Sequence, residues 1–158
     1  KAYFRSFWLS PPACAVPEPH GAYSGERKLP LILNNLHRYA LYLALVLNVI
    51  LTYDAIVSFR TPTGQWGYLG LGTIILCANA FALWCYTLSC HSCRSAVGGR
   101  ITHFSKHPVR YQMWTFISKL NAHHMLWAWI SLCTVVLADF YVYLLASGRI
   151  TDLVFFSV

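Results

Sequence analysis

Charge is scarce in this chain, and acidic charge scarcest: five Asp and Glu stand against twelve Lys and Arg in 158 residues, a formal net charge of +7. Charged residues make up 11% of the chain, where a soluble domain carries about a quarter. With 57% hydrophobic residues as well, the chain cannot clothe a soluble globule in polar surface, and it falls in the membrane class. The basic excess alone would suit nucleic acid. The positive residues lie in connecting segments and not along one exposed face, which argues against that partner. A dinucleotide-binding glycine fingerprint is missing, and so is any soluble catalytic domain, so the chain reads as a subunit and not as a complete enzyme. No internal repeat or low-complexity tract is present, which disfavours a transporter of the inverted-repeat kind. No secretory signal with a charged start and small-residue cleavage site is visible. The chain starts at Lys1 and not at methionine, which reads as a processed chain or one without its N-terminal part.

What is present is three long apolar runs. About 20 apolar residues cross a hydrocarbon core about 30 Å thick. Residues 39–59, 68–89 and 125–146 each meet that length, the second without any charge. The predicted fold is an all-α membrane bundle over residues 36–158, preceded by a polar-side segment over 1–35 rich in proline (Pro11, Pro12, Pro17, Pro19, Pro30). Gly70 and Gly72 near the start of the second run permit close approach, as small residues do in membranes. Three spans place 1–38 and 90–124 on one side. Lys1, Arg5, Arg27, Lys28, Arg38, Arg94, Arg100, Lys106, Arg110 and Lys119 lie there, and only Arg60 and Arg149 lie on the other. That imbalance marks the first side as cytoplasmic in a bacterial inner membrane.

Chemistry-bearing residues gather on that same side. Ser89-Cys90-His91-Ser92-Cys93-Arg94 ends the second run, and His123-His124 opens the third. Cys90 and Cys93 are three apart, so on a continuing helix they share a face. His91 points elsewhere on an ideal helix, and Gly98-Gly99 offers a place where the chain can unwind and redirect it. His124 can approach from the third run. His123 is its neighbour, and His37 begins the first run at a similar depth. Three centres suit these donors. A Rieske-type [2Fe-2S] cluster takes two Cys on one iron and two His on the other. Haem b takes two axial histidines. Structural zinc takes Cys90, Cys93 and two His in a closed tetrahedron.

Plainer roles compete. Histidine and aromatic residues at membrane interfaces are ordinary anchors, which covers His20, His103 and His107. Cys77, Cys85 and Cys133 read as small apolar packing residues, and Cys14 as a lone thiol in a proline-rich segment. Asp54 and Asp139, near the outer ends of their spans, either serve a proton path or quinone pocket or reach the headgroups and Arg60 or Arg149. Asn48 reads as an interhelical hydrogen-bonding residue.

The run Tyr86-Thr87-Leu88-Ser89-Cys90-His91-Ser92-Cys93-Arg94 with Gly98-Gly99 resembles the membrane-anchor subunit of actinobacterial succinate dehydrogenases. So do Phe104-Ser105-Lys106-His107-Pro108-Val109-Arg110, Lys119-Leu120-Asn121 and His124-Met125-Leu126-Trp127-Ala128-Trp129. The resemblance spans roughly residues 36–152. It implies a respiratory complex II anchor that binds a flavoprotein and an iron–sulfur subunit and passes electrons from succinate to a membrane quinone. Anchors of this family usually have five membrane helices, which would leave two N-terminal ones outside this chain. Many in the wider family hold haem b through histidines, while the mycobacterial type is associated with a membrane-embedded Rieske-type cluster. Cys93 beside Cys90 has no use in haem ligation and favours the cluster, with Cys90, Cys93, His91 and His124 as ligands and His37 and His123 as alternates. The competing functions are a haem b anchor of the same complex and a zinc-binding assembly or transport subunit.

Overall fold

A computed structural model of the chain describes residue 29 and residues 32–61, 63–98 and 103–157. The proline-rich start with Cys14 and His20, and also Gly99 and Arg100, lie outside the described residues. The chain divides into two units, Lys1–Ala40 and Leu41–Val158. The described part of the first is chiefly the opening turns of helix α1, Ile32–Val57. The second holds the rest of the architecture.

The three apolar runs are helices: α1, α2 (Leu71–Leu88) and α5 (His124–Ala146). Each is long and apolar enough to cross a membrane. Their outward faces carry exposed Leu43, Val46, Ile50 and Tyr53 on α1, and Leu132, Val136 and Phe140 on α5. Hydrocarbon surroundings call for such surfaces. Polar contacts mark the helix seams. Asn48, 4% exposed, donates from Nδ2 to Thr87 Oγ1 at 2.9 Å and to the Leu83 carbonyl at 3.3 Å. Trp84 Nε1 donates to Thr52 Oγ1 at 2.8 Å, and Thr73 Oγ1 donates to the Ser58 carbonyl at 3.0 Å. These pairs set α1 antiparallel to α2.

Two departures from the sequence reading have local causes. The second span starts at Leu71 and not at residue 68, because Tyr68–Gly70 is strand β1. It pairs antiparallel with β2, Val154–Ser157, in the register Tyr68↔Ser157, Leu69↔Phe156 and Gly70↔Val154. Leu71 N then donates to the Leu153 carbonyl at 2.9 Å. The tail after residue 146 is thus tied back to the head of α2.

The second departure concerns the residues joining the second and third spans, of which 94–119 read as a basic loop. They fold into α3 (His91–Gly98), a 3-10 turn (Phe104–Lys106) and α4 (Pro108–Asn121). Pro108 occupies the first turn of α4, where its missing N–H costs nothing. The chain changes direction at Ser89-Cys90, ahead of α3; Gly99, where the sequence offered an unwinding point, lies outside the described residues. Ser89 N still donates to the Cys85 carbonyl, but Cys90 N reaches back only to Thr87, at 3.3 Å. That tightened last turn ends α2.

Candidate functional site

At the α2–α3 corner two thiols are buried together: Cys90 is 4% exposed and Cys93 8%. They pack in one apolar cluster with Leu41 and Ile117, flanked by Leu45, Leu88 and Val97. Burial pushes the Cys93 thiol above its ordinary range, and the neighbouring Cys90 sulfur pushes it the same way. Both effects favour the neutral thiol at Cys93.

His91 stands on the other side of α3. It is exposed and lines an open pocket of about 250 Å³ with Arg94, Ser95, Gly98 and Trp114. These are i, i+3, i+4 and i+7 neighbours on one helical face plus one ring from α4. A ring nitrogen of His91 nevertheless lies within 4.8 Å of the Cys90 Sγ. Arg94 is held at the pocket wall, with Nε donating to Ser118 Oγ at 2.9 Å and the guanidinium 4.9 Å from the Trp114 ring centre. Arg110 donates from Nε and from a terminal nitrogen to the Val97 carbonyl, at 3.0 and 2.7 Å, which caps the C-terminal end of α3. Two of the basic residues counted for sidedness therefore also do structural work, while Lys106 and Lys119 are exposed.

His124 opens α5 and is half-buried. Its Nδ1 lies 2.7 Å from Ser89 Oγ, and its ring stacks on Tyr86 at 5.1 Å with 14° between planes. Asn121 Nδ2 donates to the Ser89 carbonyl at 2.7 Å. The imidazole is thus fixed against the residue that precedes Cys90. His123 is exposed and stands at the N-cap of α5 without a side-chain cap bond. His37 belongs to the first unit and is exposed on α1. His103 and His107 are exposed on the segment between α3 and α4. Among the described residues, Cys90 and His91 come within 4.8 Å of each other, and Cys93 and His124 do not join that group; thiol and imidazole are the donor types of an iron or zinc centre.

The opposite end of α2 carries a second polar cluster. Asp152, ahead of β2, accepts from Tyr68 OH at 2.7 Å, Tyr141 OH at 2.6 Å and Gly72 N at 3.0 Å. A side chain at Gly70 would collide with this carboxylate, and one at Gly72 would press on Tyr141 at 3.2 Å. The two glycines make room for a carboxylate at the helix N-terminus, which is how the predicted close approach is used. Asp54 and Asp139, the carboxylates singled out in sequence, are both exposed on their helices. Arg60 lies over Trp66 at 4.4 Å and Arg149 over Tyr143 at 5.6 Å.

Sequence reasoning quoted Ser89, Tyr86 and Asn121 only as parts of motifs, and it passed over Asp152. The available signal for Asp152 was its chemistry: a lone carboxylate in the short tail after an apolar span.

Comparison with known proteins gives one family. Residues 1–148 match actinobacterial succinate dehydrogenase subunit SdhC. No curated protein matches the chain. Among solved structures, a chain of the Mycobacterium smegmatis Sdh1 complex in the apo form is 60% identical, with a TM-score of 0.73. The similarity covers 96% of the present chain and 56% of that one, so the present chain spans little more than half of that relative's length. The chain belongs to the actinobacterial SdhC family.

Proposed function

We propose that this SdhC-family chain is the membrane-anchor and electron-transfer part of a succinate:quinone oxidoreductase, with a Rieske-type [2Fe-2S] centre held by Cys90, Cys93, His91 and His124. The observation that supports the reading is the burial of both thiols at the α2–α3 corner, directly after Ser89, on which the His124 ring is held. Haem b would leave the two thiols without a role.

When bound, such a centre supplies a one-electron relay whose potential histidine ligation raises to about −150 to +300 mV. The chain's own residues do the rest. Cys90 and Cys93 bind as thiolates. Leu41, Leu45, Leu88 and Ile117 shield them from water. His91 and His124 complete the donor set, from α3 and α5. The three helices place the protein in the bacterial plasma membrane as a multi-pass subunit. The ten-to-two excess of Lys and Arg sets the Cys/His corner at the cytoplasmic face. Exposed Lys106 and Lys119 offer positive charge there to an acidic surface of a soluble iron–sulfur subunit, which in turn carries the flavoprotein. Electrons from succinate then reach membrane quinone.

Low-temperature EPR with iron and acid-labile sulfide analysis on the purified complex tests this. A Rieske-type signal with stoichiometric sulfide is expected. A bis-histidine haem spectrum without acid-labile sulfide transfers the assignment to haem b, and zinc alone reduces the corner to a structural site.

A further inference from the structure

We propose that Ser89 is the positioning residue of this corner: it fixes the Nδ1–H tautomer and the ring plane of His124, so that Nε2 is the atom offered to a metal. The inference rests on the cofactor reading above for its purpose, but its geometry stands on five contacts within the chain.

The argument is a proton count. Ser89 Oγ lies 2.7 Å from the Tyr86 carbonyl and 2.7 Å from His124 Nδ1. A serine hydroxyl carries one proton, and a carbonyl can only accept. The hydroxyl proton is therefore committed to Tyr86. The second short contact needs its own proton, and only Nδ1 can provide it. His124 then donates from Nδ1 to Ser89 Oγ, and its σ lone pair is on Nε2. Ser89 is fully buried at 0% exposure, so bulk water does not take over either bond. Its backbone is pinned twice: Ser89 N donates to the Cys85 carbonyl at 3.0 Å, and its own carbonyl accepts from Asn121 Nδ2 at 2.7 Å. The Tyr86 ring, 14° from parallel, sets the plane. Metal-binding histidines almost always donate their other N–H to an oxygen acceptor, which fixes the tautomer and strengthens the ligand nitrogen. Here the acceptor is one residue before a proposed sulfur ligand, so one side chain registers α5 against the Cys90 corner.

Loss of the hydroxyl weakens His124 as an electron donor and lets the ring choose either tautomer. We expect Ser89→Ala in the assembled complex to lower metal affinity about 10- to 100-fold and to raise the midpoint potential of the remaining centre. Ser89→Thr, which keeps the hydroxyl, should restore both. Redox-titrated EPR reads the potential, and pulsed EPR reads the nitrogen couplings. A cofactor-independent arm uses 15N solid-state NMR of the histidine-labelled chain in lipid bilayers, with His124 assigned by its loss in His124→Gln. Wild type should show a protonated Nδ1 at His124, and Ser89→Ala a mixed population. A wild-type His124 protonated only at Nε2 overturns the proposal even if the Ala variant fails to assemble. So does a Ser89→Ala complex with unchanged potential and couplings. A wild-type complex without any histidine-ligated centre defeats the functional reading instead, and the NMR arm then still decides the Ser89–His124 pairing.

Discussion

Asp152 shows what one carboxylate does in a chain with five acidic residues. Burial alone would raise its pKa, but hydrogen bonds from Tyr141, Tyr68 and the backbone of Gly72 and Leu153 outweigh it and leave the value below the usual 3.8. The Tyr68 phenol, donating into the same carboxylate, is pushed up to about 12. The signs are opposite in their pH consequences. A depressed Asp contributes stability above its unfolded pKa and loses it as pH falls through the folded value. A raised Tyr contributes fully below pH about 10 and loses it as pH climbs toward about 12. The tail junction should therefore hold from weakly acid to weakly alkaline conditions and loosen at both extremes. Asp152→Asn should cost about 2 kcal/mol at neutral pH, and the difference from wild type should vanish in strong acid. Thermal unfolding of the purified protein in detergent across pH checks this, and equal losses at acid and neutral pH would contradict it. The residue was not legible in the sequence because its value lies in contacts 80 and 84 residues away, with Gly72 and Tyr68. Cys90, Cys93 and His124 stand out in the sequence because thiols and imidazoles at span ends carry their own chemical signal, and their role as ligands stays a proposal. Ser89 does not stand out, since a serine at a helix end is commonplace until its partners are known.

At the scale of elements, length and polarity located the spans to within a few residues, because a hydrocarbon core imposes both. Short amphipathic helices escape that logic. α4 mixes Arg110, Gln112 and Lys119 with Tyr111, Met113 and Phe116, so its mean polarity imitates a loop while its 3.6-residue pattern supports a helix at the interface. Strand β1 escaped for a different reason: three residues adjoining an apolar run look like its first turn until a partner strand appears. Asn48 was readable from chemistry alone, since a lone amide in a span needs partners. It joins α1 to α2 through Thr87 and Leu83. Interhelical hydrogen bonds in membranes average about 0.6 kcal/mol and reach about 1.7, and this one is buried with two acceptors. Asn48→Ala should cost about 1 kcal/mol in the second unit, with Thr87→Val costing no more than that and the double variant less than the sum. A double-mutant cycle of detergent unfolding measures the coupling, and full additivity would mean the two side chains do not interact.

For the whole molecule, the two ends of α2 are bolted to α5 by different chemistry. At one end Ser89 meets His124 and Asn121. At the other, Gly72 and Tyr141 share Asp152. α2 and α5 are therefore antiparallel, and α1 is antiparallel to α2, so α1 and α5 run the same way. The α3–α4 segment lies on one membrane side, and the 58–67 turn and the β1–β2 junction lie on the other. Which side is cytoplasmic follows from the Lys and Arg count, a rule about insertion that packing does not encode. We expect Lys106→Cys, on the 3-10 turn, to react with a membrane-impermeant maleimide only in inverted vesicles. Gln65→Cys, in the exposed turn after α1, should react only in intact cells, with the native cysteines as the baseline in each case. The opposite pattern would move the Cys90–His124 corner to the outer face. It would then be cut off from cytoplasmic succinate oxidation, and the proposed electron route would fail on topology alone, whatever metal the corner holds.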